Sequence, residues 1–351
     1  MQSSNKGVKV SSSKRIEWLD IAKGIGIFLV VYAHARAPYS SYIYNFHMPF
    51  FFLISGILYK SGGNLKQYIF KKIKTLYIPF VGWNLIFIIG KSLIRHEGIS
   101  FGNIFRVFLT LDKDGEFLGA IWFLGALFII SVLYKIIDYS ILDSPAKKYI
   151  ILGFFFIWCL IGFEITLPHM LSRTLICGFF YALGAFGKEY LLNLKLDRNT
   201  VVYAVISAGT FLIIGHYNSA NMGDNAYRYR SLFLIGAVLA SFAVLCISKC
   251  IEEICRNNIL AYAEKAVCFI GRKSIDIVIW QFIAFRAVIA IQLLINHIPL
   301  NKLLEYYPLY SEKNGWWIIY TFVGIVFPII WGMFLRAGIW GKILCKIHLV
   351  N

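Results

Sequence analysis

Apolar residues fall along this chain in blocks of about 17–22, each closed by a short polar stretch. Ten such blocks are legible, at roughly 17–36, 45–60, 76–94, 119–137, 149–167, 170–187, 200–216, 231–249, 274–296 and 315–336. The second block is short, and Pro79 and Gly82 interrupt the third. A hydrocarbon core admits only helices or a closed barrel, because only these leave no backbone group unpaired. Barrel strands alternate in sidedness over about ten residues, whereas these blocks are continuous and longer. The pattern therefore predicts an all-α fold, a polytopic membrane bundle of about ten transmembrane helices. A single transmembrane domain over 15–340 is expected. Residues 1–14 (MQSSNKGVKVSSSK) read as a disordered cytoplasmic tail, and 341–351 as a cytoplasmic C-terminal tail. The polar, basic opening and the full-length first block predict no cleavable signal peptide. No internal repeat is evident, which disfavours an inverted-repeat transporter plan.

Composition agrees with the pattern. Of 351 residues, 59% are hydrophobic and 15% charged, and mean hydropathy is +0.68. The basic residues add an orientation. Twenty-three Lys and Arg fall on the N-terminal side of the blocks and ten on the other, with Lys23 and Arg286 inside them. Such an excess places the N-terminus in the cytoplasm, and an even number of spans places the C-terminus there too. The net charge of +17 then reflects inner loops beside anionic lipid rather than nucleic-acid binding. No Gly-rich phosphate loop, zinc-spaced Cys/His set or RNP-like aromatic strand is present. The seven cysteines lie in the blocks or on the inner side, so no disulfide framework is expected. Cys246, Cys250 and Cys255 have helical spacing but no clustered His or acid, and no metal site is expected.

The first block, WLDIAKGIGIFLVVYAHA, carries three ionisable residues: Asp20, Lys23 and His34. Eleven helical steps return almost to the starting azimuth, so Lys23 and His34 share one face about 16 Å apart along the axis. Asp20 lies one turn before Lys23 on that face. Polar groups in such a stripe usually face a bundle interior or a wet cavity and mark a functional path. The alternative is that Asp20 and Lys23 snorkel to the inner surface and His34 to the outer one. His47 opens the second block after a short outer loop, which puts the two imidazoles at similar depth. They form a plausible acid–base pair, since histidine titrates near working pH. Ser55 and Gly56 allow close backbone approach in the second block. Arg286, deep in the ninth block, needs a partner; Glu164 of the fifth is a candidate. Three outer segments, 95–118 with Asp112, Asp114 and Glu116, 217–230 and 297–314, are rich in Tyr, Asn and charge. That mixture suits a polar ligand such as a sugar, and equally any wet loop.

These residues resemble a family. The run from RIEWLD through KGIGIFLVVYAH to NFHMPFFFLISGILYK is similar to the opening signature of the acyltransferase 3 family of bacterial integral-membrane O-acyltransferases. The hallmark basic residue, ten positions, then His is matched by Lys23 and His34. The His-x-Pro-x-Phe-Phe-x-x-Ser-Gly element is matched by His47, Pro49, Phe51, Phe52, Ser55 and Gly56. Later resemblances fall on AIWFLGALFI with Trp122, on SRTLICGFFYALG with Arg173 and Gly184, and on IGRKSIDIVIWQF, where Gln281 stands near a position at which the family commonly has His. The resemblance spans essentially the whole chain, and looks closest to sugar O-acetyltransferases of the fucose 4-O-acetylase type.

The resemblance implies ten membrane helices in a bacterial cytoplasmic (inner) membrane. It implies cytoplasmic acetyl-CoA as acyl donor, without a metal, and a hydroxyl of a surface glycan or lipid-linked sugar as acceptor. His34 is then the general base or an acylated nucleophile, with His47 orienting it or polarising the thioester. Asp20, Lys23 and the lysines of 60–74 (Lys66, Lys71, Lys72, Lys74) would serve the donor. Trp122 would stack on a sugar and Arg173 would hold an oxyanion or a sugar phosphate. A transporter or flippase of a polar lipid-linked sugar is the rival reading, because it too would need buried charges.

Overall fold

The computed structural model describes residues 15–96, 98, 101–110, 117–168, 171–255 and 261–350. The expected tail 1–14 and the acids Asp112, Asp114 and Glu116 lie outside the described residues. The described chain is mostly helical. In order it forms α1 (Glu17–His34), α2 (Ser40–Tyr44), α3 (His47–Ile57), α4 (Leu65–Lys72), α5 (Ile78–Arg95), α6 (Phe101–Thr110), α7 (Trp122–Ser140) and α8 (Lys147–Glu164). It continues with α9 (Leu171–Phe186), α10 (Lys188–Leu192), α11 (Arg198–Tyr217), α12 (Arg230–Cys255), α13 (Ala261–Arg272), α14 (Ser274–Ile295), α15 (Trp316–Leu335) and α16 (Gly338–Lys346). A two-stranded antiparallel hairpin, β1 (Ala220–Asn221) and β2 (Ala226–Tyr227), separates α11 from α12. Each of the ten apolar blocks holds one of the longer helices. Among the described residues, six helical stretches are long and apolar enough to cross a membrane by themselves: 65–94, 122–140, 198–217, 230–255, 274–295 and 316–335.

Local chemistry explains the boundaries. Glu17 and Asp20 sit in the first turn of α1, where the helix dipole favours acids. The interruption expected at Pro79 takes a specific form. A π-turn over Ile73–Tyr77 joins α4 to α5, and Pro79 lies at the start of α5, where its missing N–H leaves no bond unmade. Gly82 then forms a notch that the Leu349 side chain fills. The Trp83 indole donates to the Leu349 carbonyl at 3.1 Å, so the segment after α16 is tied to α5.

The core is organised around α1, which packs against α3, α12, α13, α14 and α15. Close approach is made by glycine. At the α1–α13 crossing, Gly24 faces the Val267 carbonyl and Gly271 faces the Asp20 carbonyl. At the α3–α9 crossing, Gly56 faces the Tyr181 carbonyl and Gly184 the Leu53 carbonyl. Every one of these positions would drive a Cβ into a neighbouring backbone, which is how small residues let membrane helices touch. The end of the bundle where α1 begins is here called proximal, and the end where it finishes distal.

These crossings predict a contrast. Gly56→Ala and Gly271→Ala should each cost about 1–3 kcal/mol or more through overpacking. Gly153→Ala in α8, where nothing lies within 4 Å, should be neutral or stabilising, by up to about 1 kcal/mol of helix propensity. Thermal unfolding of the detergent-solubilised protein reads both. Equal melting temperatures for all three variants would refute the close approach.

Candidate active site

Two imidazoles meet at the distal end because α1 finishes on His34 and α3 begins on His47. The Nδ1 of His34 lies 3.0 Å from the Gln281 side-chain oxygen on α14. An amide oxygen only accepts, so Nδ1–H is the donor in this bond. His47 is oriented in the same sense: its Nδ1–H donates to the Ile43 carbonyl at 2.8 Å. The rings stand edge to face with centroids 6.3 Å apart. They differ in access, since His47 is 3% exposed and His34 half-buried. Phe282 packs on His34 at 5.0 Å between ring centroids. Tyr44, from α2, touches both imidazoles, at 6.1 Å from His34 and 5.3 Å from His47. Its hydroxyl donates to the Ala33 carbonyl at 3.3 Å. Burial pushes the Tyr44 phenol up to about 12, against a lowering by Arg36, so it stays a neutral donor near pH 7.

The rest of the α1 stripe is also turned inward. Asp20 is 3% exposed. It is held between the Arg15 Nε and the Lys23 Nζ, each at 2.5 Å. Lys23 is thus paired rather than free, but its side chain keeps 22% of its exposure. A small cavity of about 40 Å³ lies between α1, α3, α7 and α14, touching Val30, Met48, Phe51, Phe123, Ser274 and Val278. Val30 is one turn before His34, Met48 follows His47, and Val278 is three residues before Gln281. The cavity therefore adjoins the imidazole pair from the bundle interior. Larger openings carry cations. Lys66, Lys71 and Lys74 line a groove of about 530 Å³ with Phe70 and His348. Lys135, Lys147, Lys148 and Lys188 line one of about 940 Å³ with Tyr59, Gly62 and Gly63.

Trp122 and Arg173 are brought together, away from open solvent. Trp122 is 3% exposed, and the Arg173 guanidinium lies 5.6 Å from its ring centroid. Arg173 Nη1 donates to the Gly223 carbonyl at the tip of the β1–β2 hairpin. The same hairpin is anchored by the buried Met222 against the Cys177 sulfur, 3.3 Å away. A reciprocal pair of amides, Asn218 and Asn45, fixes its base, with Asn218 Nδ2 donating to Asn45 Oδ1 at 2.9 Å. The expected partner of Arg286 is corrected. Glu164 pairs with Arg230 instead, at the end of α8 where it is exposed. Arg286 Nη1 donates to the carbonyls of Leu303 and Tyr306, both at 2.5 Å, so it fastens the 303–306 turn to α14.

Gln281 and Tyr44 are the residues that spacing alone did not single out. Gln281 belongs to a helix almost 250 positions from His34; the resemblance placed it near a position at which the family commonly has His, but its bond to His34 has no local signal. Tyr44 had a usable signal, its place three residues before His47.

With this geometry in view, the comparisons with known proteins fall into place. The sequence pattern of the family described as "Acyltransferase domain", acyltransferase 3, matches residues 16–340. The chain belongs to the acyltransferase 3 family. This acyltransferase is similar to the nodulation protein NolL of Mesorhizobium japonicum (strain LMG 29417 / CECT 9101 / MAFF 303099), with 31% identity over 135 residues. That stretch is 34% of this chain and 35% of NolL, so the match spans about a third of the relative's length. No solved structure matches the chain significantly. Family and apolar helices together make the acyltransferase a multi-pass membrane protein.

Arg173 has a testable mechanical role. Arg173→Ala should loosen the hairpin and raise amide exchange over 219–228, leaving α1 protected. Hydrogen exchange read by mass spectrometry checks this. Unchanged protection of the hairpin would remove Arg173 as its anchor.

Proposed function

We propose that this acyltransferase is a ten-helix enzyme of the bacterial cytoplasmic membrane, with both termini cytoplasmic. It moves an acetyl group from cytoplasmic acetyl-CoA to a hydroxyl of a surface glycan or its lipid-linked precursor. The observation that carries the reading is the hydrogen bond between His34 Nδ1 and the Gln281 side chain, at the end of a helix whose polar stripe turns inward with Asp20 buried. Family membership supports acyl transfer in general.

In this reading His34 Nε2 takes the proton of the sugar hydroxyl as its oxygen attacks the thioester carbonyl carbon. The carbon–sulfur bond then breaks, and the departing CoA thiolate recovers the proton from the His34 imidazolium. The oxyanion formed in between needs a donor. The Gln281 amide N–H is buried and has no protein acceptor among the described residues, and it serves this purpose. His47, held by the Ile43 carbonyl, keeps the His34 ring in place by edge contact. The acetyl group faces the small apolar cavity beside Val30 and Met48. The donor phosphates meet cations at the proximal end, from Lys66, Lys71 and Lys74 and from the Asp20–Lys23 pair. Trp122 and Arg173 act on the acceptor through the hairpin that they support.

His34→Ala should abolish glycan acetylation with expression and membrane insertion unchanged. Gln281→Leu should lower turnover about 10²-fold or more, whereas Gln281→Glu, which keeps an acceptor for Nδ1–H, should retain the base but lose the oxyanion donor and fall between. O-acetyl content of the glycan by mass spectrometry and turnover of the purified protein measure these. Undiminished acetylation in His34→Ala would end the mechanism.

A further inference from the structure

The distal face carries a groove that the catalytic reading leaves unused. It has a volume of about 450 Å³ and lies between α2 and the β1–β2 hairpin, lined by Ser41, Tyr44, Ser219, Asn221, Tyr227 and Arg228. Its chemistry is an aromatic wall with hydroxyl, amide and guanidinium groups around it. That combination suits a sugar ring, whose C–H faces pack on aromatic rings while its hydroxyls seek polar partners.

Its position ties it to the reaction. Tyr44 is at once a wall of the groove and the ring against both His34 and His47. Tyr44 thus stands between the groove and the imidazoles, so the hydroxyl that reaches His34 belongs to the part of the glycan that extends past Tyr44. The opposite wall is rigid rather than loose. Asn218 and Asn45 bond the hairpin base to the start of α3, Met222 is sunk against Cys177, and Arg173 holds the Gly223 carbonyl. Asn221 closes the turn by bonding Asp224 and accepting from the Gly223 N–H. Arg228 stays exposed at the rim. Trp122, by contrast, is covered on one face by Arg173 and is 3% exposed, so it offers no open platform for stacking.

Resting on the acetyl-transfer reading above, we infer that this groove is the acceptor site, taking a pyranose-type glycan ring on Tyr44 with Arg228 and Asn221 reading its polar substituents. Acceptor selectivity then resides in the hairpin, while the base and donor path reside in the helices.

The test uses the full-length protein in lipid nanodiscs, radiolabelled acetyl-CoA, and surface glycan from producing cells, de-O-acetylated with mild alkali. Two variants attack opposite walls: Arg228→Ala on the hairpin and Ser41→Trp on α2, both at exposed positions. Each should raise the acceptor KM about tenfold or more while the acetyl-CoA KM stays within about twofold. Melting temperatures should match wild type. His216→Ala, exposed on the distal side of α11 and outside the groove, should move neither KM. If wild type transfers label and both variants keep the wild-type acceptor KM, the groove is not the acceptor site and the transfer reading stands. If both KM values rise together, the assignment to the acceptor is overturned. If wild type transfers no label to any glycan, the acetyl-transfer reading falls, and the groove assignment with it.

Discussion

A helix that carries Asp20, Lys23 and His34 on one stripe cannot turn that stripe to hydrocarbon without leaving charge unsatisfied. That constraint arranges the molecule. Among the described residues α2, α3, α12, α13, α14 and α15 close around α1, and glycines at the α1–α13 and α3–α9 crossings bring backbones near enough to make the enclosure tight. Once α1 is central, its two polar ends meet different needs. Asp20 is neutralised by cations on either side of it, whereas His34 is held by a neutral amide.

Much of this was legible in the residues. Helical periodicity placed Lys23 and His34 on one face, and their inward direction follows from the cost of burying charge in lipid. The short 35–46 connection brought His47 to the level of His34, and the rings are 6.3 Å apart. All ten apolar blocks hold a helix, although six helical stretches qualify as spans by length and composition. What escaped reading depends on long-range packing. Gln281 reaches His34 from a helix 247 positions away. Glu164 was matched to Arg286 by charge alone, yet it pairs with Arg230, while Arg286 donates to two carbonyls of a nearby turn. Backbone oxygens carry no sequence signature, so a carbonyl-bound arginine is indistinguishable from an ion-paired one until the turn is placed. The same holds for Arg173, whose partner is the Gly223 carbonyl.

The two ends of the bundle also differ in how they are built. Lysines line the proximal openings, in the larger one beside Asp138, Asp143 and Glu189, and tyrosines, serines, Asn221 and Arg228 line the distal one. Between them lies a small apolar gap beside Val30 and Met48. A polyanionic donor and a neutral hydroxyl-rich acceptor would thus be met by different chemistry on opposite sides, with His34 near the boundary. The Asn45–Asn218 pair matters here because it links the loop that carries Tyr44 to the hairpin, so the aromatic wall and the polar wall are one mechanical unit.

The Leu349 side chain seated over Gly82 has a temporal meaning. The indole of Trp83 bonds a carbonyl 266 positions further along the chain. During synthesis, α5 leaves the ribosome long before that residue exists. Its notch and its unpaired indole N–H must therefore wait in the bilayer, open to lipid or to a chaperone, until residue 349 is made. Final closure of this region is thus reserved for a late stage of assembly, and a chain halted before that point would expose the vacant notch as a mark of incompleteness.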